Sequence, residues 1–203
     1  RDGTRTLAED RGSAVSSAVA ARAREVGAFY LNPILATGGI VMGSALALDL
    51  GAGGFTATVA SADATSGLCL FEYYVAAPDG AALAARNLSV RAQTGPGVDV
   101  LTAGFVISGN GPLRVLVRGL GPALAAFGVA DTIVDPNLRV YSTGATDAFA
   151  ANFGWAGATE LADAAQRSGA FALPAGSRDA ALLVTLEPGA YTALITSATG
   201  ATG

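Results

Sequence analysis

One internal repeat constrains this chain more than any other feature. Residues 44–67 align without a gap onto residues 180–203, and nine of the 24 positions are identical: Ala45, Leu46, Leu50, Gly53, Thr56, Ala57, Ser61, Ala62 and Gly67. Phe55 falls on Tyr191 and Val59 on Ile195, so the apolar positions correspond as well. Upstream, GAFYL at 27–31 returns as GAFAL at 169–173, each time after an alanine-rich stretch, with six extra residues in the first copy. Two copies of one pattern call for the same local elements, and the pattern is that of strands. Leu46, Leu48 and Leu50 alternate with Ala45, Ala47 and Asp49, and Phe55, Ala57 and Val59 alternate with Thr56, Thr58 and Ala60. The first copy then runs on through GLCLFEYYV at 67–75, a further strand by its β-branched and aromatic content. The second copy reaches only the equivalent of Gly67, at Gly203. The expectation is a chain of two unequal modules, the second one strand short.

Taken in order, residues 1–13 are polar and read as an arm. Residues 13–26 read as a helix, with Ser13 as a plausible N-cap and Gly27 as the stop. The run at 34–50 is apolar, but Asp49 and several glycines interrupt it, so no membrane span is expected. Ala-Ala-Pro-Asp-Gly at 76–80 is a turn signal. The domains expected are therefore an arm at 1–13, a partial β module at 14–76, a linker at 77–85 and a β module at 86–203. Within the last, strands are expected at 87–92, 98–108, 113–118, 138–142, 179–186 and 190–196. A helical turn is expected around Pro122 to Phe127, and an alanine-rich helix over 159–168. The fold class expected is mainly β: sandwich modules, Ig-like or jelly-roll-like, with short alanine-rich helices.

Residues 86–203 carry a string of motifs: NLSVRA at 87–92, AGFVISG at 103–109, RGLGPAL at 118–124 and FGV at 127–129. DPNL at 135–138, Asn152 with Trp155, GAFAL at 169–173 and DAALLVTLEPGAYTA at 179–193 complete it. In this pattern the chain resembles a repeat domain of large exported bacterial surface proteins, a family with no assigned enzymatic activity. The resemblance implies an extracellular structural or adhesive role. It also implies a closing strand like Gly-x-Ala-Leu-x-Glu-x-Tyr, which this chain carries as GLCLFEYY at 67–74. The first module departs from the family in lacking its front half.

Composition removes most chemistry. All 12 cationic side chains are arginine, there is no histidine, and the net charge is −4. Ser-His and Cys-His nucleophiles, lysine Schiff bases, the P-loop lysine and His-containing zinc sites are therefore out of reach of one chain. The only local basic cluster is Arg22 with Arg24, too little for a nucleic-acid face. Asp131 and Asp135 read as turn residues, and no D-x-D-x-D spacing suggests calcium. The glycine turn at 118–121 before Pro122 lacks the third glycine of a dinucleotide loop and reads as a tight turn. No catalytic residue, metal or cofactor is expected. Phe153 and Trp155 could form a ligand platform for surface glycans, although a single tryptophan in a β domain is more often core. Asn87-Leu-Ser89 matches a glycosylation sequon at the start of a strand. The lone cysteine, Cys69, reads as a buried thiol, with an intermolecular disulfide as the alternative.

Charged residues make up 14% of the chain and mean hydropathy is +0.46, a surface poor in charge even allowing for its many alanines. A β module short of one strand leaves bare edges, and bare edges invite pairing. The functional expectation is a structural subunit of an extracellular filament or surface layer, assembling with itself head-to-tail by strand complementation. Leu68, Leu70, Phe71, Tyr73 and Val75 are the expected donor strand. Tyr191, Leu194 and Ile195 are the expected receiving edge. The alternative is a monomeric adhesin or carbohydrate-binding module of a larger exported protein.

Overall fold

The computed structural model describes residues 6–11, 15–28, 34–36, 39–41, 43–61, 63–76, 86–95, 97 and 99–203. The chain divides into two units, Arg1–Asn87 and Leu88–Gly203. The expected linker at 77–85, Ser13 and most of the GAFYL segment lie outside the described residues.

In the second unit the alternating apolar runs become strands where each finds a partner. These are β3 (Leu101–Ile107), β4 (Leu113–Gly119), β5 (Pro136–Ser142), β6 (Ala150–Asn152), β7 (Ala180–Leu186) and β8 (Gly189–Ser197), after β1 (Ile34–Ala36) and β2 (Gly39–Val41) of the first unit. All pairings are antiparallel. One sheet has the order β3-β8-β5-β6, and β4 pairs with β7 in a separate two-stranded sheet. Register is continuous along each ladder, with Leu101 opposite Ile195, Leu138 opposite Ile195 from the other side, and Leu113 opposite Leu186. The fold is mainly β, as the alternation implies.

Both sheets contribute to one hydrophobic core. Leu138, Val140, Ala180 and Leu186 are fully buried, joined by Ile107, Tyr191 and Ala193. Burial of each large aliphatic here contributes about 2 kcal/mol. Phe105, Val115, Val117, Leu182, Val184 and Ile195 pack against this cluster yet are only partly buried.

Two helices punctuate the chain. Helix α1 spans Ser17–Glu25, and Ser16, not Ser13, is its N-cap, accepting the Val19 N–H at 3.3 Å. Both serines are competent caps, and the helix takes the later one. Helix α2 spans Thr159–Ser168, as its pattern predicts. Gly27 and Gly169 close the two helices in the same left-handed conformation, φ +71° and +75°, which a side chain would strain.

The first unit behaves differently from its sequence copy. Residues 43–61 and 63–76 join no ladder, so the strands expected at 46–50, 55–59 and 68–75 are not formed there. The reason lies in the topology of the second copy. Its β7 pairs with β4 and its β8 with β3 and β5, never with each other. Among the described residues of 1–87 there is no counterpart of β3, β4 or β5 for these two strand-competent arms to pair with. The corresponding turn nonetheless forms: Ala64 and Gly200, aligned in the repeat, both take positive φ, +60° and +71°. The strand expected at 87–92 is also not formed, and Leu88 and Val90 are exposed. Residues 169–173, GAFAL, run without strand structure. The three-residue β6 has no expected counterpart.

Candidate functional site

The motif residues of the second unit turn out to hold its loops together. RGLGPAL leads from β4 into a short 3₁₀ helix, Pro122–Phe127. Its amide groups face a carboxylate of the protein itself. Asp179 is fully buried, and it accepts the Gly121 N–H at 2.8 Å and the Ala123 N–H at 3.1 Å. The amides of this tight turn are thus satisfied from within. A Cβ on Gly121 would overlap the Ile133 carbonyl, so the turn admits only glycine. Asn152 accepts the N–H groups of Gly154 at 3.0 Å and Ala181 at 3.1 Å. The Trp155 amide donates to Asp179 O at 2.8 Å, and its indole N–H donates to Ser177 Oγ at 3.1 Å.

That geometry decides the platform. Trp155 is 7% exposed and belongs to the interior, whereas Phe153 is 57% exposed, with the Arg139 guanidinium 5.3 Å from its ring centroid. The two rings are not presented together on one surface. Asp135 pairs with Arg178 at 3.5 Å, and Asp131 stands apart in a left-handed turn conformation, φ +54°. Among the described residues no three His, Cys, Asp or Glu side chains gather as a metal would need, and no helix is long and apolar enough to cross a membrane.

The receiving edge expected on Tyr191, Leu194 and Ile195 is not an edge. All three lie on β8, which is hydrogen-bonded to β3 on one side and β5 on the other. Tyr191 is nearly buried, stacked on Phe105 at 5.8 Å, and its hydroxyl donates to Glu187 O at 2.9 Å. Alternation alone could not reveal this, because a central and an edge strand carry the same period.

The open edges lie elsewhere. In the two-stranded sheet, the free side of β7 is closed at its start by residues 152–155, through the Ala181 N–H to Asn152 and the Trp155 N–H to Asp179 O. The free side of β4 has no ladder partner among the described residues. Gly119, at the end of β4, lies against Ile195 of β8 and Leu138 of β5. The strand β4 therefore sits over β8 and β5. Beyond β8, the edge strand β3 has no described strand facing it, which is why Phe105, Val115 and Val117 stay partly exposed. One signal for this edge was present in the sequence: LRVLVRG places Arg114 and Arg118 on one face, and charged side chains are characteristic of edge strands. Arg114 pairs with Glu160 of α2. Arg118 donates to Phe171 O at 2.6 Å and stacks over the Phe171 ring at 4.4 Å. Partial burial pulls the Arg118 guanidinium below its ordinary pKa, with the Asp179 charge opposing. A cleft of about 450 Å³ between α2 and this sheet is lined by Leu116, Leu161, Ala165 and Ala181 among others.

The expected donor residues are all exposed. Leu68 is fully exposed, and Leu70, Phe71, Tyr73 and Val75 are 43–71% exposed. Cys69 is exposed, not buried as expected, because the segment around it has no ladder to shelter it. Within the segment Tyr74 donates its hydroxyl to Glu72, two residues away, at 3.0 Å, which raises the Tyr74 pKa. The preceding turn is organised by Asp63, whose carboxylate accepts from the Ser61 hydroxyl and from the Thr65 hydroxyl and amide. Those bonds hold its pKa at about 2, below the ordinary 3.8.

No protein-family model matches this chain, and no curated protein or solved structure matches it.

Proposed function

We propose that this chain is the structural subunit of an extracellular bacterial filament or surface layer, built from β-sandwich modules and assembled head-to-tail by strand complementation between neighbouring copies. One observation carries the reading. The apolar segment 68–75 is exposed and without a ladder, and among the described residues one side of β4 has no ladder partner. Transfer of Leu68, Leu70, Phe71, Tyr73 and Val75 from water into an interface is worth on the order of 10 kcal/mol before ordering costs. That is the scale of the translational and rotational cost of association, and ladder hydrogen bonds add to it. Head-to-tail strand addition between unlike surfaces propagates as a filament wherever the rotation between neighbours does not close a ring. The low charge, the absence of lysine and histidine, and the resemblance of residues 86–203 to exported repeat domains support the structural role and the location outside the cell.

Sedimentation of the native protein across a concentration series, with negative-stain microscopy of the same samples, tests this. Concentration-dependent particles that resolve into filaments are expected. A monodisperse monomer up to the solubility limit would refute it. The adhesin reading keeps one feature in its favour, the exposed Phe153 beside Arg139, and it requires glycan binding by a chain that does not polymerise.

A further inference from the structure

The exposed segment and the bare edge fit each other in one arrangement. Resting on the assembly reading above, we infer that residues 67–73 of a second copy add antiparallel to β4, with Glu72 opposite Arg114, Leu70 opposite Leu116 and Cys69 opposite Val117.

Three constraints give this register. The first is parity. In an extended strand Cys69, Phe71, Tyr73 and Val75 share one face, and Leu68, Leu70, Glu72 and Tyr74 share the other. The inner face of β4 carries Val115 and Val117, turned toward the half-covered core beside Phe105. Placing Glu72 there would bury an unpaired carboxylate, a cost the opposite parity avoids. Cys69, Phe71 and Tyr73 therefore turn inward and Glu72 turns outward.

The second is charge. The outer face of β4 presents Arg114, Leu116 and Arg118 in alternation. Arg118 is already engaged with Phe171, whereas Arg114 is half exposed beside Glu160. Its fork can take a second carboxylate, and the strand spacing then sets Leu70 against Leu116 and Leu68 against Arg118. Among the described residues, the chain's own segment at 87–92 is a competing occupant. Its polar face carries Arg91 and no acid, so it would set like charges against β4.

The third is polarity. Antiparallel addition brings Gly67 to the Gly119 end of β4. In the repeat, Gly67 corresponds to Gly203, which lies against Thr132 and Ile133, beside Gly121. The incoming strand thus starts where the repeat places its equivalent.

Cys69 is the only cysteine, so single cysteines placed along β4 read the register directly. Variants Val115→Cys, Leu116→Cys and Val117→Cys are assembled under reducing conditions, sedimented, then oxidised with oxidised glutathione and run on non-reducing gels. Val117→Cys should give covalent multimers that Cys69→Ser abolishes, and Leu116→Cys should give none. A second measurement leaves the core untouched. Arg114→Glu alone should raise the concentration needed for assembly about fivefold, and mixing it with Glu72→Arg copies should restore it. Assemblies that sediment normally but cross-link best at Leu116→Cys, or not at all on β4, overturn this register and leave the assembly reading standing. Loss of sedimenting particles in the unmodified chain overturns both.

Discussion

Removing the Asp179 carboxylate tests the account of how the second unit is held together. Asp179 is fully buried, and its oxygens accept the Gly121 and Ala123 N–H groups at 2.8 and 3.1 Å. Asp179→Ala leaves two buried amide donors without the carboxylate that accepts them. Each orphaned donor costs about 1–3 kcal/mol, and bonds to a charged acceptor sit at the upper end. The change also removes the charge that partly offsets the desolvation of Arg118. The expected loss is about 4 kcal/mol, which for a unit of this size lowers Tm by roughly 15–20 °C. Asp179→Asn keeps one acceptor oxygen but turns an amide donor toward the same N–H groups, so it should lose about half as much. The assay is urea unfolding followed by Trp155 fluorescence. Trp155 is the only tryptophan, it is buried, and its own amide donates to Asp179 O, so it reports on this unit alone. Unfolding should be measured at low protein concentration and shown to be independent of it, so that association does not add to stability. A loss under about 1 kcal/mol for Asp179→Ala would show that the turn satisfies its amides some other way, and the assignment of RGLGPAL as a carboxylate-held turn would fail.

Three further outcomes follow from the same geometry. Gly121→Ala drives a Cβ into the Ile133 carbonyl; it should cost about 3 kcal/mol or more, read in the same urea titration, and a near-neutral result would contradict the packing of that turn. Ser177→Ala removes the acceptor of the Trp155 indole N–H, and should cost about 1 kcal/mol and change the Trp155 emission maximum without shifting the assembly threshold. Asp63 has a folded-state pKa depressed to about 2 by hydrogen bonds from Ser61 and Thr65. Its turn is therefore fully supported above the ordinary carboxylate range and is released as pH falls through about 2. An NMR titration of the Asp63 carboxyl carbon with a midpoint near 3.8 would show that the turn does not form in solution.

How legible the fold was depended on whether each signal was local. Helix α2 and the cores of β4, β5, β7 and β8 were readable because period, capping and flanking glycines act within a few residues. Alternation, by contrast, states only that a segment can be a strand. Residues 55–59 and 191–195 carry nearly the same pattern, yet only the second is in a sheet. A ladder is a property of two segments, and β8 has β3 and β5 to pair with, whereas the described residues of 1–87 offer no equivalents. For the same reason the sequence placed the receiving edge on β8, which the topology makes a central strand, and could not place Asp179 under Gly121, 58 residues away in the chain. Among the described residues, the strand-competent segments 43–61 and 63–76 join no ladder, and β4 is paired on one side only. Exposed apolar strands do not stay solvated at working concentrations. The proposed addition of residues 67–73 of one copy to β4 of the next would cover both.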